Sequence, residues 1–220
     1  MSDVIGEFFD CGDFKKPDFD PRSISYDQTE ILEWIRRLHC NDKFDVDASY
    51  GNGSFYKKMS KPFRRFDTDE NMKDCEFGDS RNLPLQNESV ESVVFDPPFL
   101  TYVQNNREHN TNMIMSSRFS GYVNYVDLTE HYQKSLDEFN RVLKKKGVVV
   151  FKCQDIIHNH KMHATHINVV NWAGERGFRL KDLFILNAKN RIPRSNKGRG
   201  PQHARVFHSY FLVLEKMKTM

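Results

Sequence analysis

Near the middle of the chain, Asp96-Pro97-Pro98-Phe99 sets an acid, two prolines and an aromatic ring directly after the apolar run Val93-Val94-Phe95. Proline fixes φ and carries no backbone donor, so the pair holds a stiff, extended turn. In such a turn the Asp96 carboxylate and the Pro97 carbonyl offer two acceptors for the hydrogens of one amino group. That suits the exocyclic amine of a nucleobase. Its lone pair is delocalised into the ring and must be localised and aimed before it can attack a methyl sulfonium. Phe99 adds a face on which a flipped-out base could stack.

Three further groups upstream fit a ligand placed next to that turn. The segment Asp47-Ala48-Ser49-Tyr50-Gly51-Asn52-Gly53 holds two glycines, which allow close backbone approach and dihedrals other residues avoid. Phe66-Asp67 supplies a carboxylate that could accept from both hydroxyls of a ribose, as acids after a second strand do in dinucleotide folds. Gly78-Asp79 supplies another that could accept from an adenine amino group. Taken singly, each of these is equally well a strand-helix turn, a helix cap or a solvated turn residue.

These groups act together only if the elements between them converge. Residues 27–39 place Ile31, Leu32, Ile35 and Leu38 on one helical face. Residues 44–47, 63–67 and 90–96 predict strands, each ending in an aspartate, and residues 54–60 predict the start of a helix. Leu128, Tyr132, Leu136, Phe139 and Leu143 recur at helical spacing and predict a helix over 127–146. Lys144, Lys145 and Lys146 would favour its C-terminus and Gly147 would stop it. Residues 148–152 predict a strand, 162–175 a helix, and 180–186 and 209–214 two closing strands. The stretches 100–126 and 188–206 read as long loops, which in a compact domain are usually functional or disordered. Alternating strands and helices predict an open α/β sheet with ligands at the carboxyl ends of its strands.

In order and spacing, the glycine loop, the two acids and the Pro-Pro tetrapeptide resemble those of the class I S-adenosylmethionine-dependent methyltransferases that modify amino groups of bases in DNA or RNA. That family carries a loop of the form Asp-x-Phe-x-Gly-x-Gly and a catalytic Asp/Asn/Ser-Pro-Pro-Tyr/Phe/Trp. The resemblance covers roughly residues 27–216. It implies a Rossmann-like, mostly parallel seven-stranded sheet with a terminal antiparallel strand, and S-adenosyl-L-methionine as cofactor. By the same resemblance Asp47, Ser49, Gly51, Gly53, Asp67 and Asp79 surround the cofactor, and Asp96, Pro97, Pro98 and Phe99 form the catalytic centre. Ser49 departs from the family's Phe, a role Tyr50 or Phe55 could fill. An acid before the prolines resembles the adenine N6 branch more than the cytosine N4 branch.

The 188–206 loop holds Lys189, Arg191, Arg194, Lys197, Arg199 and Arg205, cations suited to phosphates. Gln202-His203-Ala204-Arg205 resembles the small DNA methylases of the bacteriophage kind. DNA is therefore expected ahead of RNA as the partner, with recognition by the loops at 100–126 and 188–206. An RNA adenine methyltransferase, a cytosine N4 enzyme and a non-catalytic nucleic-acid-binding subunit are the rival readings. A protein partner or a homo-oligomer is compatible with all of them.

Composition bounds these readings. At 220 residues the chain fits one domain, with residues 1–26 as a lead-in, and 38% hydrophobic residues including 18 Phe supply a core. The net charge of +3 says little about partners, although the basic residues concentrate towards the C-terminus. Cys11, Cys40, Cys75 and Cys153 show no paired spacing, so neither a zinc knuckle nor a disulfide framework is expected. His158, His160, His163 and His166 drift around a helix, and methyl transfer needs no metal, so no metal site is expected. No apolar run is long enough to span a bilayer, and Asp3, Glu7 and Asp10 are unlike a signal peptide, so an intracellular protein is expected.

Overall fold

A computed structural model describes residues 19–99, 101, 121–189 and 203–217. In chain order its strands are β1 (Ile24–Ser25), β2 (Val46–Asp47), β3 (Arg64–Asp67), β4 (Glu76–Phe77), β5 (Val90–Phe95) and β6 (Leu143–Cys153). They continue with β7 (Ile156–His158), β8 (Lys161–His163), β9 (Phe178–Asn187) and β10 (His208–Lys216). The helices are α1 (Gln28–His39), α2 (Tyr125–Val142) and α3 (Thr165–Glu175). Eight strands form one sheet in the order β1-β9-β10-β6-β5-β2-β3-β4, and β7 and β8 make a separate hairpin. Within the sheet every neighbouring pair is parallel except those of β10, which runs antiparallel to both β6 and β9.

Alternation along the central strands sends side chains to two separate cores. Val93, Phe95, Val149 and Phe151 pack on one face with Leu128, Tyr132, Leu136 and Phe139 of α2. Val94, Val148 and Val150 pack on the other with Ile31, Leu32 and Ile35 of α1. Because both faces are covered, β5 and β6 read as continuous apolar runs, as buried parallel strands do.

The sheet has eight strands rather than seven because the lead-in adds one. Ile24 and Ser25 pair in parallel with Ile185 and Leu186, and Asp27 then caps α1 by accepting from the Thr29 N–H. Trp34, not Leu38, completes the buried face of α1; Leu38 is 43% exposed. The expected helix over 54–60 is a single 3-10 turn, Ser54–Tyr56. The expected helix over 127–146 begins at Tyr125 and ends at Val142, so the loop predicted over 100–126 stops short of 125. Residues 100 and 102–120 of that loop lie outside the described residues.

The three lysines therefore do not sit on a helix C-terminus. Leu143 pairs with Val90 and Val148 with Ser92, and the chain turns between these two pairs. Lys146 there has φ +66°, and a Cβ on Gly147 would lie 2.9 Å from the Lys144 carbonyl and 3.1 Å from that of Glu91. Only glycine passes between those two carbonyls. The short elements β4, β7 and β8 span two or three residues each, too few to set up a periodicity, and β8 occupies the start of the helix expected over 162–175.

Candidate active site

From β2 the chain proceeds outward to β3 and β4, then returns to β5 on the other side of β2. The connections leaving β2 and β5 thus diverge, and the crevice between them is where open α/β sheets place ligands. Asp47 ends β2, Asp67 ends β3, Asp79 follows β4 and Asp96 follows β5. All four acids expected from the sequence stand on this carboxyl edge.

Two hydrogen bonds join the glycine loop to its neighbours. The Gly51 N–H donates to Asp67 Oδ2 at 2.8 Å, and the Asp96 N–H donates to Ser49 Oγ at 2.7 Å. Ser49, the departure from the family pattern, is thus the tie between the loop and the Pro-Pro turn. Gly51 has φ +55° and open space where a side chain would stand. Gly53 has φ +69°, and a Cβ there would lie 2.5 Å from the Tyr50 hydroxyl oxygen. One glycine leaves the crevice clear, and the other permits the loop's own packing.

Asp47 is 2% exposed. Its carboxylate accepts from the Tyr56 hydroxyl at 2.6 Å and from the Ser49 N–H at 2.8 Å, so it organises the loop from below. Burial pushes its carboxyl up to about 7, against the opposing pull of the Tyr56 and Ser49 hydrogen bonds. Asp67 also accepts from the Asp69 N–H, at 2.9 Å. Each carboxylate oxygen has two lone pairs, so Asp67 keeps unused acceptor capacity.

Asp79 is held differently. Arg81 binds both of its oxygens, with Nη2 at 2.5 Å from Oδ2 and Nε at 2.9 Å from Oδ1, and this contact holds the carboxyl below its usual range despite partial burial. A ligand that uses Asp79 must share it with Arg81. Beside this pair lies a cavity of about 370 Å³ lined by Arg81, Tyr122, Asp127, Glu130 and His131. His131 is bonded to Ser80 Oγ at 2.8 Å and to the Tyr122 hydroxyl at 2.6 Å, and burial lowers its pKa to about 4. The imidazole is neutral near pH 7 and divides its donor and acceptor roles between those two hydroxyls.

Pro97 is buried, Pro98 and Phe99 are half-buried, and the Tyr132 hydroxyl of α2 donates to the Pro98 carbonyl at 2.9 Å. The turn is therefore gripped from the glycine loop through Asp96 N and from α2 through Pro98 O. Asp96 itself has one oxygen in use and one idle. Lys152 Nζ lies 3.2 Å from Oδ2, whereas Oδ1 is buried and has no hydrogen-bond partner among the described residues. Burial raises the Asp96 carboxyl above its ordinary range, and Lys152 works against that rise.

Lys152 and Gln28, whose Oε1 accepts from Lys152 Nζ at 2.8 Å, were not indicated by sequence pattern. A lysine inside the apolar run 148–153 was the available signal. Of the cations expected to meet phosphates, Lys189 lies 6.0 Å from the Tyr26 ring centroid and the Arg205 guanidinium 5.4 Å from that of Phe207. Both flank the carboxyl edge, because β10 starts where β9 and β6 end. Arg191, Arg194, Lys197 and Arg199 lie outside the described residues. His158 and His163 stand on the hairpin, His160 at its turn and His166 on α3, where its Nδ1 meets Asp155 Oδ1 at 2.7 Å. Among the described residues no three His, Cys, Asp or Glu are grouped to hold a metal, and no helix is long and apolar enough to cross a membrane.

The strand order, with one antiparallel strand inserted beside β6, gives the Rossmann-like α/β fold found in class I methyltransferases. A SAM-dependent methyltransferase from Methanosarcina mazei superposes on it with a TM-score of 0.50 at 9% identity, over 83% of this chain and 97% of that one. At that identity the likeness concerns the fold alone. A candidate DNA modification methylase from Thermus thermophilus matches 65% of this chain at 18% identity with a TM-score of 0.44, and the present chain spans 53% of its length. A chain from the complex between the Haloferax volcanii Trm112 methyltransferase activator and a candidate methyltransferase matches at 15% identity with a TM-score of 0.49, over 81% and 83% of the two chains. No protein-family profile and no curated protein matches the sequence.

Proposed function

We propose that the chain is an S-adenosylmethionine-dependent methyltransferase acting on the exocyclic amine of a flipped-out nucleobase, with adenine N6 in DNA as the substrate. The observation that carries this reading is the idle Asp96 Oδ1, a buried carboxylate oxygen at the switch point of the sheet, next to a glycine loop. A buried acceptor without a donor is costly and rare in folded proteins, and at a crevice it points to a donor arriving with a ligand.

The residues present fit the methyl donor. Gly51 offers backbone with open space above it, and Asp67 retains lone pairs for hydroxyl groups at the same edge. When bound, S-adenosylmethionine supplies an electrophilic methyl group on a sulfonium whose departure leaves a neutral thioether. Asp96 Oδ1 accepts one hydrogen of the base amine and the Pro97 carbonyl accepts the other, which turns the nitrogen lone pair towards that methyl group. With the donor bound, the new N–C bond would form as the donor's S–C bond broke, and the nitrogen, acidic once methylated, would give its proton to water. No strong base is required beforehand, so Asp96 acts by orientation. Phe99 stacks on the base, and the cations of 188–206 meet the phosphates.

The test incubates the protein with labelled donor and DNA or RNA, digests to nucleosides and identifies the labelled base. N6-methyladenine in DNA is the expected result. Label in RNA or on cytosine would redirect the substrate within the same chemistry, and no label together with no donor binding would refute it. Asp96→Asn keeps an acceptor oxygen without the charge and should retain turnover reduced about 10- to 1000-fold, whereas Asp96→Ala should lose nearly all of it while still binding donor. Equal loss in both variants, with donor binding intact, would favour proton abstraction instead.

A further inference from the structure

Lysine is almost never buried without a reason, since its charge must be compensated inside the protein. Lys152 is 8% exposed, in the centre of the sheet opposite Phe211 of β10. Its ammonium meets Asp96 Oδ2 at 3.2 Å and Gln28 Oε1 at 2.8 Å, and it lies over the rings of Phe55 at 4.8 Å and Phe211 at 5.5 Å. Two acceptors and two π faces thus fix the cation in one place. As a purely stabilising device this is a poor choice, because buried ion pairs are often replaced by apolar residues without loss.

We propose that Lys152 is a positioning residue for methyl transfer: it occupies Asp96 Oδ2, holds the carboxylate ionised, and so leaves Oδ1 as the acceptor presented to the substrate amine. This rests on the reading of Asp96 given above. A carboxylate otherwise free to rotate, or one that carried a proton, would offer the amine a changing acceptor or a donor. The titratable groups facing Asp96 are Asp47 and Tyr56 from the glycine-loop side, Tyr132 from α2 and Lys152 from β6. Of these, Lys152 carries the positive charge. Burial favours protonation of Asp96, and proximity to Asp47 puts two acids in one region; Lys152 opposes both.

The experiment measures kcat against pH, with donor affinity by calorimetry, for the wild type, Lys152→Met, Lys152→Gln and Lys152→Arg. Loss of a charge this close should move the acid limb of both neutral variants upward by about one pH unit or more. Turnover on the acid side of the profile should fall roughly tenfold or more, recover in large part towards its alkaline side, and leave donor affinity within about threefold. Lys152→Arg should keep the wild-type limb. A neutral variant with an unshifted limb, or with the same loss at every pH, would overturn the proposal. So would failure of both neutral variants to fold, which would make the pair structural. A wild type that transfers methyl to no base would instead overturn the functional reading itself, so the two failures are distinguishable.

Discussion

Ser49→Ala removes one oxygen atom and tests how the glycine loop positions the Pro-Pro turn. In the folded chain Ser49 Oγ accepts the Asp96 N–H at 2.7 Å and its hydroxyl donates to Asp47 Oδ1 at 3.4 Å, while the Ser49 N–H serves the same Asp47 oxygen at 2.8 Å. Alanine keeps the N–H bond and deletes both hydroxyl contacts, of which the one to Asp96 is the shorter. A neutral hydrogen bond contributes about 1 kcal/mol net, and a donor left buried without an acceptor costs about 1–3 kcal/mol. Ser49 is half-buried beside the crevice, so water can reach the orphaned N–H in part, and the expected loss is about 1–3 kcal/mol. For a chain of this length that is roughly 2–7 °C in Tm. The Asp96 backbone then loses its tie to the glycine loop, and a shift of a few tenths of an ångström in the acceptor should lower kcat about tenfold or more. Thermal unfolding, donor calorimetry and single-turnover methylation would be measured for the wild type, Ser49→Ala and Ser49→Thr. Threonine keeps the hydroxyl and should preserve most of both properties. If Ser49→Ala melted within about 1 °C and turned over within about twofold of the wild type, the coupling through Ser49 would be refuted.

Asp67→Ala should weaken donor binding by about 1.5–3 kcal/mol, since it removes charge-assisted acceptors and also frees the Gly51 N–H that it holds; unchanged calorimetric affinity would take Asp67 out of the site. Asp47 makes a prediction about pH. Its folded carboxyl sits at about 7, above its unfolded value, so the folded chain holds a proton there that the unfolded chain releases. The resulting stabilisation is complete below about pH 4 and lost as the pH rises through about 7. Asp47→Asn lacks this dependence and can still accept from the Ser49 N–H. Its stability relative to the wild type should therefore rise between about pH 4 and 8 by up to about 4 kcal/mol, as read from urea unfolding. A difference independent of pH would contradict the raised Asp47.

The sequence alone was enough for the alternation of strands and helices and for the aspartates that end the strands. Alternation and helical periodicity are local, and the residues that carry them, such as Leu128, Tyr132, Leu136 and Phe139, are buried because of their own spacing. The Pro-Pro turn and the positive-φ glycines are equally local, since proline and glycine act on their own dihedrals. Short elements were lost for the same reason: β4, β7 and β8 give too few residues for a period to appear. The helix end at Val142 differs from the pattern because Leu143 turns extended to pair with Val90, and Val90 belongs to another strand. Partnerships within the site were beyond the sequence altogether. Phe95 stands opposite Phe151 in the β5–β6 register, and that pairing alone brings Asp96 next to Lys152, 56 residues further on. Arg81's hold on Asp79, Ser49's on Asp96 and the idle Oδ1 follow likewise from which strand lies beside which. Sequence spacing carries the type of each group, but the charge a group meets and the oxygen it leaves free are set by neighbours far along the chain, which only the packed sheet brings within reach.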